Sequence, residues 1–203
     1  MQRFRVAAVG AALLVSTIAE AQGSGGVTPK KHVRASRPAA AAASAASAAA
    51  PAAVADSTVK VNEFLSYDPA AKTVALKLFA AHGSVNGGMN FNGASNGSAT
   101  ITVPVGWSVS WNFTNEDAIP HSAIVLVNKM PFPAQPQDPA IPRAYTKDVT
   151  AGLPTNGTDQ TTFKTSSAGQ YVIACGVPGH APSGMWIKFD VSADAKVPSY
   201  AGK

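Results

Sequence analysis

The sequence predicts an all-β fold, an antiparallel β-sandwich carried behind an N-terminal tether, and three observations predict it. Short runs of alternating apolar and polar residues recur between Thr58 and Val191. Turn-forming dipeptides separate the runs, and no amphipathic helix interrupts them. Eight such runs in about 135 residues suit two packed sheets.

Taken in order, strands are expected over residues 58–65, 73–79, 99–104, 107–114, 122–127, 161–164, 170–175 and 185–191. In the fourth run Trp107, Val109, Trp111 and Phe113 alternate with Ser108, Ser110, Asn112 and Thr114, a period of two with one buried face. In the last, Met185, Ile187, Phe189 and Val191 alternate with Trp186, Lys188 and Asp190. Asn86-Gly87-Gly88, Asn96-Gly97, Asn156-Gly157 and Pro178-Gly179 mark turns between runs. Residues 130–154 are Pro-rich and are expected to fold over one end of the sandwich.

The N-terminal quarter has a different character. Residues 1–21 read as a signal peptide: Arg3 and Arg5, an apolar stretch from Val6 to Ile18, then Ala19-Glu20-Ala21 as a cleavage site. That reading implies an exported, periplasmic or otherwise extracytoplasmic protein. Residues 22–56 form a low-complexity Ala/Ser/Pro linker with too few large side chains to offset the entropy of ordering, hence a disordered tether. Its basic cluster, Lys30, Lys31, Arg34 and Arg37, could touch anionic lipid headgroups and tether the protein at a membrane, although a solvated linker is the commoner explanation of such a run. The folded domain is expected over residues 57–203, as a monomer.

Composition excludes several functions. The 203 residues carry a net charge of +5, yet from Ser57 onward ten basic residues face nine acidic ones. A nucleic-acid footprint on the domain is therefore not expected. A single Cys rules out a disulfide framework, a four-thiolate zinc site and an iron–sulfur cluster within one chain. No run of about 18 apolar residues supplies a conventional membrane-spanning helix.

The chemistry concentrates between Tyr171 and Trp186. One strand delivers Cys175 and another begins at Met185. Gly176, Pro178, Gly179, Pro182 and Gly184 bend the chain between them, with His180 midway. A single loop can thus bring a thiolate, an imidazole and a thioether toward one point, and His121, after Pro120, offers a second imidazole. Cys, two His and Met form the ligand set of a blue-copper site, a trigonal thiolate–imidazole plane with a weak axial thioether. Each residue alone has a plainer reading: Cys175 as a small buried hydrophobe, His121 as a satisfied core histidine, Met185 as core beside Ile187. The four together, in ligand order on an all-β chain, do not. His32 and His82 show no partner in the sequence and receive no role.

The Cys-x4-His-x4-Met loop, Asn115-Glu-Asp-Ala-Ile-Pro-His121, and Gly88-Met-Asn-Phe-Asn-Gly93 followed by Val103-Pro-Val-Gly-Trp107 resemble sulfocyanin, a membrane-associated blue copper protein of respiratory chains in acidophiles. The resemblance covers roughly residues 57–191, and the loop is also similar to that of rusticyanin. It implies the cupredoxin Greek-key β-sandwich with one type 1 copper, His121, Cys175 and His180 as equatorial ligands and Met185 as axial ligand. It also implies that Ser122 ties the two ligand loops by hydrogen bonding. His180 is expected near the surface, where Val177, Pro178, Ala181 and Pro182 form an apolar patch for redox partners of the cytochrome or terminal-oxidase type. An apolar site with an axial Met implies a fairly high potential.

The expected function is an electron carrier cycling between Cu(I) and Cu(II) outside the cytoplasmic membrane, and not an enzyme. A copper chaperone or storage module is the alternative, weakened by four Met and scattered His. A Cys175–His180 nucleophile and base would lack a third group to orient the base. Catalytic copper would need more His, and a metal-free adhesive sandwich leaves the ligand spacing unexplained.

Overall fold

Alternation decides which face of each strand is buried, and it builds two five-stranded sheets in the computed structural model, which describes residues 57–202 apart from Pro136. The expected signal peptide (1–21) and linker (22–56) lie outside the described residues. The first sheet runs β1 (Val59–Lys60), β2 (Leu65–Asp68), β3 (Thr73–Ala80), β5 (Ser108–Asn115) and β7 (Thr158–Lys164). The second runs β10 (Ser199–Ala201), β4 (Thr100–Pro104), β9 (Trp186–Ser192), β8 (Gly169–Ala174) and β6 (Ile124–Val127). Val85–Gly88 forms a short 3-10 turn.

The core lies where the inner faces meet. Val74, Leu76 and Leu78 of β3 stand beside Val109, Trp111 and Phe113 of β5, opposite Ile101, Val103, Ile187, Phe189 and Val191 of the second sheet. Each large aliphatic or aromatic side chain buried here stabilises the fold by about 1.5–3 kcal/mol before entropy is counted. Trp111 meets Phe163 edge-on at 5.2 Å.

The purely antiparallel arrangement expected from the sequence is corrected: β3 pairs with β5 in parallel, and so does β4 with β9. The reason is connectivity. The chain leaves β3 for β4 in the opposite sheet before β5 returns beside β3, and a strand returning by such a crossover need not reverse direction. Period-two alternation reports burial and is silent on strand direction. The run expected over residues 58–65 is also divided, into β1 and the start of β2, and residues 199–201 add an edge strand.

Parallel pairing has a consequence for the site. Ala80 and Asn115 end their strands side by side, so the segments that follow leave from the same end of the sandwich. His82, which shows no partner in the sequence, thereby meets Glu116, its Nδ1 2.9 Å from Oε2. The Pro-rich excursion packs Phe132 with Ile124, Leu126, Val172 and Ala174 on the outer face of β6 and β8, and against Trp186 at 5.3 Å. β8 is thus buried on both faces where it delivers Cys175.

Candidate metal centre

The Cys175–Met185 loop is a β-hairpin connection. The β8–β9 register ends at Ala174↔Trp186, and one step further the Cys175 amide donates to the Met185 carbonyl at 3.0 Å. The two residues are cross-strand neighbours. The His180 carbonyl accepts from the Met185 amide at 3.1 Å, and the Gly179 amide donates to Ala134 of the excursion at 2.9 Å. Cys175 and Met185 are buried in the main core, whereas His180 is half-buried. Val177, Pro178 and Pro182 reach the surface around it. Ala181 does not, being buried, so the expected patch loses that member.

His121 comes from the segment after β5, held by one polar side chain. Asn115 is fully buried; its Nδ2 donates to the carbonyls of Ile119 at 2.8 Å and Leu153 at 2.9 Å, and its Oδ1 accepts from the Asp117 amide at 2.9 Å. His121 and Leu153 exchange backbone hydrogen bonds of 3.2 and 2.7 Å. That close approach needs Gly152, at φ +75°: a Cβ there would lie 2.9 Å from the His121 nitrogen and from Val177 Cγ2. The excursion therefore clamps the ligand loop as well as covering the sheet.

Three donor atoms converge. His121 Nδ1 lies 3.1 Å from His180 Nδ1 and 3.8 Å from Cys175 Sγ, and His180 Nδ1 lies 3.4 Å from that sulfur. These separations define a triangle of circumradius about 2.0 Å, matching metal bonds of about 2.0–2.3 Å to nitrogen and sulfur. His121 Nε2 is 3.0 Å from Asp117 Oδ2. A carboxylate only accepts, so Nε2 carries a proton, and Nδ1 is the ring nitrogen turned toward the other donors. Two inward imidazole nitrogens at 3.1 Å with a sulfur beside them suit a cation between them. The donor set, soft sulfur with imidazole, fits a type 1 copper. His121, Cys175 and His180 thus bring their donor atoms together, and backbone hydrogen bonds set Met185 beside Cys175 at the foot of the same hairpin.

Ser122 performs the expected tie and one more. Its Oγ accepts from the Gly176 amide at 3.0 Å and donates to the Val149 carbonyl at 2.6 Å, while its own amide points to Cys175 Sγ at 3.5 Å. It joins both ligand loops to the excursion. Ser122→Ala leaves the Gly176 amide and the Val149 carbonyl without this partner, and an expected loss of about 1–3 kcal/mol follows. Urea unfolding of the copper-free protein measures it.

Electrostatics favour the neutral donors until a metal arrives. Burial raises the Cys175 thiol pKa, against hydrogen bonds from Ser122 and Val177 that lower it. Burial also lowers the His180 pKa, aided by nearby His121 and opposed by Asp117. Two pH effects are expected. Binding the thiolate displaces a proton, so copper uptake at neutral pH releases it, measurable with an indicator dye in weak buffer. On acidification the unfolded chain takes up a proton at His180 first, at about pH 6.5, so copper-free protein loses stability as pH falls from there through the lower folded value. Denaturant midpoints between pH 7 and pH 5 check the sign.

A two-sheet sandwich whose His121, Cys175 and His180 donors converge beside Met185 defines a cupredoxin with a blue-copper site. Residues 60–201 match the profile of the Sulfocyanin (SoxE) domain. Over 139 residues the chain is 32% identical to the sulfocyanin of Sulfolobus acidocaldarius, covering 65% of this chain and 70% of that protein. The chain belongs to the sulfocyanin family. Among solved structures it resembles a rusticyanin variant (TM-score 0.46, 24% identity, 60% of this chain and 78% of the other). It also resembles auracyanin A, a "blue" copper protein of Chloroflexus aurantiacus (TM-score 0.42, 22% identity, 59% and 99%).

Sequence reasoning missed two residues, Asp117 and Asn115, which stand within the His121 motif without a role of their own there. A carboxylate four residues before a ligand histidine was the available signal for Asp117; none marked Asn115, whose partners lie 2, 4 and 38 residues away.

Proposed function

We propose that this protein is a one-electron carrier of an extracytoplasmic respiratory chain. The observation that carries the reading is the enclosed cluster of three converging donors. His121 is fully buried and Cys175 nearly so, with His180 the half-buried member. Bound there, copper supplies a Cu(I)/Cu(II) couple. The protein's part is to hold the donors still: hairpin register fixes Cys175 against Met185, Ser122 and Asn115 tie the loops, and the core excludes water. Little rearrangement between oxidation states is then required.

The same enclosure speaks against the alternatives. A chaperone needs an accessible site for exchange, and a nucleophilic thiol needs a lowered pKa, whereas burial raises that of Cys175. Electrons are proposed to pass through the His180 ring, across the patch of Val177, Pro178 and Pro182, to cytochrome- or oxidase-type partners. Export by residues 1–21, attachment near a membrane through residues 22–56 and a monomeric state complete the proposal.

Voltammetry of the copper-loaded full chain with a Cu(I) chelator present tests it. A reversible one-electron wave that persists over many cycles is expected. Copper surrendered to the chelator on each reduction would instead indicate a delivery or storage protein.

A further inference from the structure

We propose that Asp117 is a positioning residue for the copper couple: its carboxylate fixes His121 as an Nδ1 ligand and biases the site toward the oxidised ion. The first half is geometric. Asp117 Oδ2 lies 3.0 Å from Nε2 of a fully buried imidazole, while its side chain keeps 25% exposure. With Nε2–H donated to the carboxylate, the ring can offer only Nδ1 to Cys175 and His180.

The carboxylate is itself held. Its Oδ1 accepts from the Ala118 amide at 2.6 Å, and the Asp117 amide donates to Asn115 Oδ1 at 2.9 Å. The segment from another part of the chain also fits around it. Gly88, at φ +91°, packs where a Cβ would stand 2.9 Å from Asp117 Oδ2, so any larger residue would press on the oxygen that holds His121. The sequence thus has a reason to place glycine at the head of Gly88-Met-Asn-Phe-Asn-Gly93.

The second half follows from charge. An anion hydrogen-bonded to the far nitrogen raises the basicity of the ligating one and opposes the loss of positive charge on reduction. A neutral amide in its place keeps a hydrogen-bond acceptor and removes the charge. The potential-tuning half rests on the copper-carrier reading above; the tautomer half does not.

The test uses the full chain as native protein, Asp117→Asn and Asp117→Glu. In D117N the ratio of Cu(II) to Cu(I) affinity is expected to fall about tenfold, a rise in potential of about 59 mV for one electron. D117E, which keeps the anion, is expected to stay nearer the native value. In copper-free protein, nitrogen NMR of the imidazoles is expected to show His121 protonated at Nε2, with mixed tautomers in D117N. A purely structural Asp117 would lower stability without moving either quantity. An unchanged potential in D117N, or an equal rise in D117E, would overturn the tuning; an unchanged tautomer would overturn the positioning. Were native protein not to form a blue site, the carrier reading would fall, and the copper-free spectra would still decide the role of Asp117.

Discussion

Cys175→Ala is expected to abolish the visible thiolate-to-copper absorption and to weaken Cu(II) binding by more than about 100-fold. Losing an outer hydrogen-bond partner of a metal ligand typically costs 10–100-fold, and here the one anionic ligand itself is removed. The fold is expected to survive. Cys175 sits where β8 ends, its backbone amide still donating to Met185, and Ala removes only the sulfur from that position. Circular dichroism unchanged alongside a colourless copper titration would establish that the sulfur acts on the metal. A variant as blue as the native protein would exclude Cys175 as a ligand.

Asn115→Ala is expected to cost about 2–4 kcal/mol of stability and, with it, the ordered site. Its side chain satisfies the Ile119 and Leu153 carbonyls and the Asp117 amide, and leaving a buried polar group unsatisfied costs about 1–3 kcal/mol. Because those partners border His121 and the excursion, the damage falls on the loop that presents the second imidazole. Denaturation of copper-free protein gives the stability term. Copper competition titrations give the site term, with an expected loss of at least about tenfold. A variant with native stability would mean that water or a shifted backbone replaces all three hydrogen bonds.

Much of this molecule was legible before its structure. Period-two runs located strands such as β5 because one face is apolar; Trp111 and Phe113 are buried and Ser110 and Asn112 are not. The ligands were legible because three of them share one Gly/Pro-rich hairpin, so sequence spacing was already spatial proximity. What the sequence concealed was long-range. Strand direction depends on which sheet the chain visits between β3 and β5, and alternation does not record that. The His82–Glu116 pair follows from that parallel register. The excursion was expected to cover one end of the sandwich, yet its clamp on His121 depends on Leu153, Gly152 and Val149, residues with no chemical mark. Asn115 reads as an ordinary strand end until its partners are placed.

The central claim is that His121, Cys175 and His180 hold one copper in a thiolate–imidazole plane, with Met185 as its axial ligand. The most direct measurement is the visible absorption and electron spin resonance of the full chain loaded with one equivalent of Cu(II). An intense blue charge-transfer band with narrow copper hyperfine splitting is the expected result. A colourless protein, or one showing the wide hyperfine splitting of ordinary tetragonal copper, would contradict it.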